Sequence, residues 1–136
     1  MTSIKLTMKL LKDKYSVCRL DKNSIIPNWV MNGEFFSITK TEDELSIFCS
    51  QENLPHNMQH ELANIQCEKD WRILKVEGPL DFSLVGILSS ISSLMAKEKI
   101  SIFALSTYDT DYILVKENNI DAAINVLIKN NYDVIK

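Results

Sequence analysis

Two peptides decide the fold of this chain: EGPLDFSLVGI at residues 77–87 and STYDTDY at residues 106–112. The first connects a strand-like segment to a helix-like segment, and the second connects two strand-like segments. If these elements pack as a βαββ unit, both connections lie near each other on the rim of the sheet. That rim gathers hydroxyls, carboxylates and glycine backbone, a combination that suits a small polar ligand.

The segments on either side of the first peptide have clear patterns. Residues 71–77 are rich in apolar side chains and are followed by Gly78 and Pro79, which predicts a strand with a sharp stop. A helix is predicted next, with Asp81 or Ser83 as its N-cap. Its apolar stripe repeats at helical spacing and consists of Leu84, Ile87, Leu88, Ile91 and Met95.

The segments around the second peptide complete the pattern. Residues 100–105 and 112–115 are strand candidates, and the second is apolar throughout, which predicts a central strand. A second helix is predicted after Asn118 or Asn119, ending in a left-handed turn at 130–131 before a last strand at 132–135. Its inward stripe is predicted to be Ile120, Ile124, Leu127 and Ile128.

The resulting order is βαββαβ. Right-handed crossovers place both helices on one face of an antiparallel sheet, so the predicted class is α+β with a ferredoxin-like arrangement.

The first half of the chain has a weaker version of the same order. Strand candidates at 5–11 and 15–20 flank a turn, and residues 25–31 allow at most a short helix. A hairpin is predicted at 35–50, and the polar segment 51–70 holds a short helix or a linker. We therefore expect two unequal units, residues 1–70 and residues 71–136.

Composition narrows the function classes. The chain has 136 residues, of which 46% are hydrophobic and 24% charged, and its net charge is −3. Nucleic-acid and membrane-surface partners usually require a basic patch, so neither is expected. No segment approaches the ~20 apolar residues that span a bilayer. Residues 4–10 alternate apolar and polar, unlike a signal peptide, and a cytoplasmic location is therefore expected.

The cysteines, Cys18, Cys49 and Cys67, are odd in number, widely spaced and without a C-x-x-C pair. Cys18 and Cys49 fall in strand-like runs. Both are therefore predicted to be reduced thiols that are at least partly buried.

The peptides at residues 77–87 and 106–112, which we call the rim peptides, contain candidate catalytic groups. Asp81, Asp109 and Asp111 are possible acid–base groups, and Ser106 and Thr107 are possible nucleophiles. However, no histidine lies near either peptide in sequence and no lysine adjoins them. Because a hydroxyl without an activating base is a weak nucleophile, we expect no enzymatic activity and no cofactor.

Other kinds of site have weaker support. His56 and His60 have helical ligand spacing with Cys67 downstream, but no second convergent pair is visible, so no metal site is expected. Gly78 and Gly86 do not form a phosphate-binding motif. Gly78 marks a turn, whereas Gly86 allows a close approach by either a packed neighbour or a ligand.

Two other βαββαβ families fit poorly. RNA-binding sheets of this order display aromatic residues on the third strand in a basic context, and residues 112–116 contain one aromatic residue. Acylphosphatases need an arginine-bearing loop after the first strand, and residues 77–82 contain no arginine.

The second half resembles the ACT domain family, and in particular the small bacterial tandem-ACT proteins. The similar segments are residues 76–88, from Val76 to Leu88, and residues 102–115. Residues 15–20 and 35–39 in the first half match more loosely.

The resemblance implies an effector, typically an amino acid, bound where the loop after the first strand of one ACT unit meets another unit. It also implies a homodimer. The residues expected to bind the effector lie in the two rim peptides; they are Asp81, Ser83, Leu84, Val85, Gly86, Ile87, Ser106, Thr107, Tyr108 and Asp111.

Within that set, Asp111, Ser106 and Thr107 are predicted to form the polar wall of the pocket, with the backbone near Val85 and Gly86 as its floor. Leu84 and Val85 stand where a cationic side chain would need an acidic group, which favours an uncharged ligand portion. Two function classes remain open: an effector-binding regulator, and an interaction module that kept the fold and lost the ligand.

Overall fold

The structure, a computed structural model, describes residues 5–56, 65–78 and 86–136. Its elements are strands β1 (Thr7–Leu10), β2 (Tyr15–Leu20), β3 (Ser37–Lys40), β4 (Leu45–Ser50), β5 (Gln66–Val76), β6 (Ile102–Ser106), β7 (Asp111–Lys116) and β8 (Asp133–Ile135), helices α1 (Ile87–Lys97) and α2 (Ile120–Lys129), and 3₁₀ turns at Asn28–Met31, Gln51–Asn53 and Glu117–Asn119. The predicted α+β class is confirmed. No helix in these ranges is long and apolar enough to cross a membrane.

The chain forms two compact units. The C-terminal unit comprises Arg72–Lys136 together with Met1–Lys12, and the N-terminal unit comprises Asp13–Trp71. β5 supplies residues to both units, because the boundary falls within it. Compactness does not test whether the chain holds two copies of one domain, so the division into 1–70 and 71–136 stays a prediction.

The C-terminal unit contains the predicted β5-α1-β6-β7-α2-β8 order. Its strands lie side by side as β8-β1-β5-β7-β6. β1 pairs antiparallel with β5, with Met8 opposite Val76, and parallel with β8, with Met8 opposite Val134. In a ferredoxin-like sheet the first and last strands are adjacent and antiparallel. Here β1 is inserted between them and makes one parallel pair, which differs from the wholly antiparallel expectation.

Both helices of the C-terminal unit contribute to one core with β5 and β1. Ile91 and Met95 of α1 and Leu127 of α2 are completely buried, and they join a cluster with Leu74, Val76 and Met8. Each such side chain stabilises the fold by about 1.5–3 kcal/mol relative to exposure. The predicted stripe is confirmed at Leu88, Ile91 and Met95 for α1.

The prediction that Ile128 belongs to the inward stripe of α2 is wrong. Ile128 is 53% exposed, and Ala123 is buried in the cluster instead. Because α2 directs positions 120, 123, 124 and 127 inwards, position 128 falls beyond the edge of the apolar face.

The N-terminal unit has the strand order β3-β4-β2-β5. The predicted hairpin is confirmed as β3 paired antiparallel with β4, and β2 lies between β4 and the first residues of β5. When β2, β3, β4 and β5 are taken as first to fourth strand along the chain, their side-by-side order is that of a ferredoxin-like sheet. The 3₁₀ turn Asn28–Met31 stands where a full unit has its first helix, as the short-helix prediction for residues 25–31 indicated.

A β-bulge interrupts the pairing of β2 with β5. Tyr15 is opposite Trp71 and Val17 is opposite Glu68, so β5 carries one extra residue at this point. Asp70 has a left-handed φ of 69°, and two hydrogen bonds with the Gln51 side chain hold it there. The bulge is therefore a fixed feature of β5.

The predicted state of Cys18 is wrong. Cys18 forms a disulfide with Cys67, which lies opposite it in the β2–β5 register. Strand candidates predict burial for a cysteine, but they do not show which residue stands across the sheet. The prediction of a free, buried thiol is confirmed for Cys49. Burial raises the pKa of the Cys49 thiol to about 11, so at neutral pH it is protonated and does not attack the disulfide.

We predict that reduction of the disulfide destabilises the protein. Cys18 and Cys67 are 49 residues apart, and closure of a loop of this size removes unfolded-state entropy worth up to about 4 kcal/mol. Urea unfolding with and without dithiothreitol measures the difference. Cys67→Ala should have the stability of the reduced protein with or without dithiothreitol. Cys49→Ala, which keeps the disulfide, should still lose stability when dithiothreitol is added. Three reactive thiols in the denatured, unreduced protein would contradict the pairing.

Candidate functional site

The candidate site lies where β5 ends and the β6–β7 hairpin turns. The two elements are joined directly, because the Thr110 hydroxyl donates a hydrogen bond of 2.6 Å to the carbonyl oxygen of Val76. Thr110 is 4% exposed, so this hydrogen bond is shielded from water. The residue before the first rim peptide thus contacts the second peptide, and Gly78 of the first lines one cavity with Thr107 of the second.

Hydroxyl groups stabilise the hairpin turn from within. The backbone N–H and the hydroxyl of Thr107 both donate to the carbonyl oxygen of Thr110, at 2.8 and 3.2 Å. The Thr107 hydroxyl in turn accepts from the Thr110 N–H at 3.3 Å. Ser106 and Asp111, the last pair of the ladder, are joined by a hydrogen bond of 2.6 Å from the Ser106 hydroxyl to Asp111 Oδ1. The turn therefore has a fixed shape before any ligand arrives.

A cavity of about 150 Å³ opens beside this hairpin. Its described lining consists of Lys75, Gly78, Thr107, Asp109, Thr110 and Tyr112. Leu74 and Val76 face the helices, and since side chains alternate along a strand, Lys75 points to the opposite face of the sheet. The cavity is therefore polar, with one cation and one carboxylate.

The structure places the predicted ligand-binding residues in different positions. Asp81, Ser83, Leu84 and Val85 lie outside the described residues. Thr107 lines the cavity. Ser106 and Asp111 bond each other at the foot of the hairpin, and Tyr108 at its tip is 82% exposed.

Gly86 and Ile87 mark the start of α1. The helix begins at Ile87 with Gly86 as its N-cap, and the predicted caps Asp81 and Ser83 lie outside the described residues. Gly86 has a left-handed φ of 81°, a conformation that interrupts a right-handed helix, and no described atom lies within 4 Å of where its Cβ would be. Ile87 packs against the core of the C-terminal unit. Whether these residues bind a ligand stays a prediction.

The sequence-based site prediction omitted five lining residues of the cavity, which are Lys75, Gly78, Asp109, Thr110 and Tyr112. Strand alternation in residues 73–76 signals that Lys75 faces away from the apolar core. No sequence signal shows that Lys75 and Asp109 border the same cavity.

The weak metal candidate is not supported. Cys67 is committed to the disulfide, and His60 lies outside the described residues. Across residues 5–56, 65–78 and 86–136, no group of three or more histidine, cysteine or carboxylate side chains is arranged to hold a metal ion.

These features define a class: a ferredoxin-like domain with a small polar cavity beside its β6–β7 hairpin. Comparison with known families is consistent with that class. The family model of the ACT domain matches residues 66–129, and a second model, an N-terminal domain, matches residues 13–57.

Several relatives were identified by sequence and by structure. A crystal structure of a protein from Agrobacterium tumefaciens is 31% identical, covers 98% of this chain and 94% of its own, and superposes with a TM-score of 0.86. The cytosolic arginine sensor for mTORC1 subunit 1 of Bos taurus is 27% identical over 108 residues, which is 76% of this chain and 32% of the sensor. The chain thus spans about a third of the length of that curated relative.

A third relative shares the fold alone. The regulatory subunit of aspartate kinase from Thermus thermophilus is 10% identical, with a TM-score of 0.61 over 90% of this chain and 95% of its own. Together these matches establish that the chain belongs to the ACT domain family.

We predict that the Thr110–Val76 hydrogen bond fixes the hairpin. Thr110→Val keeps the shape of the side chain but removes the donor, leaving the shielded Val76 carbonyl without this partner, and should cost about 1–2 kcal/mol of unfolding free energy. Thr110→Ser, which retains the hydroxyl, is the matched control and should lose less. Urea unfolding measures both variants, and equal losses would show that packing of the methyl group, rather than the hydrogen bond, fixes the turn.

Proposed function

We propose that this protein is a regulatory protein of the ACT type that binds a small molecule, in particular an amino acid, and performs no catalysis. The observation that carries the proposal is the polar cavity beside the hairpin, at the end of β5 in the ACT domain. Its volume of about 150 Å³ suits a ligand of amino-acid size, since pockets for drug-sized molecules measure roughly 300–1,000 Å³.

The hydrogen bonds of the hairpin support a binding role rather than a catalytic one. The hydroxyls of Ser106, Thr107 and Thr110 all donate to acceptors of the hairpin or β5. A serine or threonine nucleophile needs a neighbouring general base. Lys75 lines the same cavity, but the Thr107 hydroxyl donates to the Thr110 carbonyl oxygen and not to the lysine. The hairpin is therefore suited to holding a ligand in place.

The interaction-module alternative rests on one specific observation. Asp111, predicted to bind the ammonium group of an effector, already accepts the Ser106 hydroxyl at 2.6 Å. In the regulator, this bond orients one carboxylate oxygen and leaves the other for a ligand. In an interaction module, the bond would only stabilise the turn. A ligand-binding measurement separates the two roles.

The proposal includes a homodimer in the cytoplasm, with neither nucleic acid nor membrane as a partner. β6 pairs with β7 on one side, and no other described strand pairs with it. Residues 102–106 contain neither charge nor proline, the two features that usually protect an edge strand from association. The cytosolic relative supports the location. Because cytosolic disulfides are usually transient or redox-sensing, the Cys18–Cys67 bond would be partly reduced there.

We predict that at least one standard L-amino acid raises the melting temperature by several degrees. A ligand that binds only the native state at 100 times its Kd stabilises that state by about 2.7 kcal/mol. Thermal-shift measurements with each amino acid alone test this. Gly86→Asn tests the predicted backbone floor: asparagine tolerates the left-handed φ of Gly86, so the variant should fold, and its added side chain should reduce the thermal shift. No shift with any amino acid would favour the interaction module.

We predict that the dimer associates through the β6 edge. Ala104 is exposed on this strand, and Ala104→Lys would bring like charges together across a two-fold axis. Sedimentation at roughly tens of micromolar should show a dimer for the wild type and a monomer for the variant. Thr39→Lys on the edge strand β3, which already ends in Lys40, is the control and should remain dimeric. A monomeric wild type would refute the dimer.

A further inference from the structure

Two opposite charges border the cavity without forming an ion pair. Lys75 and Asp109 both line it. The ion pairs found in the described residues are Lys5–Asp133 and Arg72–Glu117, so the Lys75 ammonium and the Asp109 carboxylate are more than 4.0 Å apart. Lys75 is only partly exposed, and Asp109 is exposed. A group carrying both charges would satisfy the two side chains at once.

The pairing of β1 with β5 adds a second, independent observation. Lys9 is directly opposite Lys75 in the antiparallel register. Like charges directly opposite one another on a sheet destabilise it. Neither lysine has an ion-pair partner in the part of the chain that the structure describes. On the face of the sheet next to the cavity, the two ammonium groups therefore repel each other, and a bound anion would reduce that repulsion.

The hydroxyls of the hairpin are less suited to this task. Those of Thr107 and Thr110 already donate to carbonyl oxygens in the hairpin and β5. Charged groups form hydrogen bonds about twice as strong as neutral groups do. Recognition in this cavity therefore depends on Lys75 and Asp109 more than on the threonines.

We propose that the cavity binds the free main-chain groups of an α-amino acid, with Lys75 taking the carboxylate and Asp109 the ammonium group. The assignment rests on the proposed function and makes it more specific. It assigns the ligand's ammonium group to Asp109 at the tip of the hairpin in place of Asp111. It assigns the ligand's carboxylate to Lys75 on β5 in place of the start of α1. The ligand class is an amino acid with both main-chain groups unblocked, since blocking either group removes one of the two charges.

The test combines ligand derivatives with variants. Isothermal titration calorimetry measures the affinity for the L-amino acid with the largest thermal shift, for its C-terminal amide and for its N-acetyl derivative. The wild type should bind the free amino acid at least about tenfold more tightly than either derivative, which corresponds to about 1.4 kcal/mol.

The variants assign each charge to its partner. Lys75→Met should weaken binding of the free amino acid about tenfold or more and should no longer distinguish the acid from its amide. Asp109→Asn should similarly lose the distinction between the free and the acetylated amine. Lys97→Met at the end of α1 and Asp121→Asn in α2 are matched controls that change the same charges away from the cavity, and they should bind as the wild type does.

A structural role for Lys75 has a different signature. Lys75→Met removes the repulsion from Lys9, so the unliganded variant should be at least as stable as the wild type in urea while binding less tightly. If the variant lost stability and binding in parallel, or if Lys75→Met and Asp109→Asn both kept the wild-type preference for the free amino acid, the assignment would be overturned and amino-acid binding would stand. Absence of amino-acid binding by the wild type would overturn both.

Discussion

The pairing of β1 on both of its edges is the constraint on which the C-terminal unit depends. This strand of four residues lies between β5 and β8, antiparallel to one and parallel to the other. Its register directs Met8 into the helix-covered core. The same register leaves Lys9 on the opposite face, directly across from Lys75. Core packing and the charge next to the cavity are thus set by one alignment of strands.

Local sequence patterns predicted most elements of the C-terminal unit. Helical spacing identified Ile91 and Met95 as core residues, and the apolar run at 112–115 identified a central strand. These features depend on neighbours within a few residues, which the sequence shows directly. Partners distant in sequence were not predictable in this way. The insertion of β1 and the Cys18–Cys67 pair both depend on which strands meet across the sheet, and periodicity contains no such information.

The candidate site shows the same division between local and distant information. The hydroxyls and carboxylates of the hairpin were predictable, because a polar turn between two apolar runs is visible in the local sequence. The structure adds their mutual bonds, which use Ser106, Thr107 and Thr110 to fix the turn. Lys75 enters the site only through the adjacency of β5 to the hairpin. The hairpin groups predicted from the local sequence thus shape the cavity and supply Asp109, whereas Lys75 reaches the cavity through the fold.

The bulge at Asp70 has a consequence for the evolution of the chain. An extra residue in β5 changes which of the following side chains face each side of the sheet. Deleting one residue there while keeping the pairing with β2 would turn Lys75 towards the helices and Val76 away from them. Substitutions along β5 alter single contacts, whereas a one-residue deletion would invert a whole segment. Descendants of this sequence should therefore keep the number of residues in 66–76 even where exposed residues of the strand are replaced.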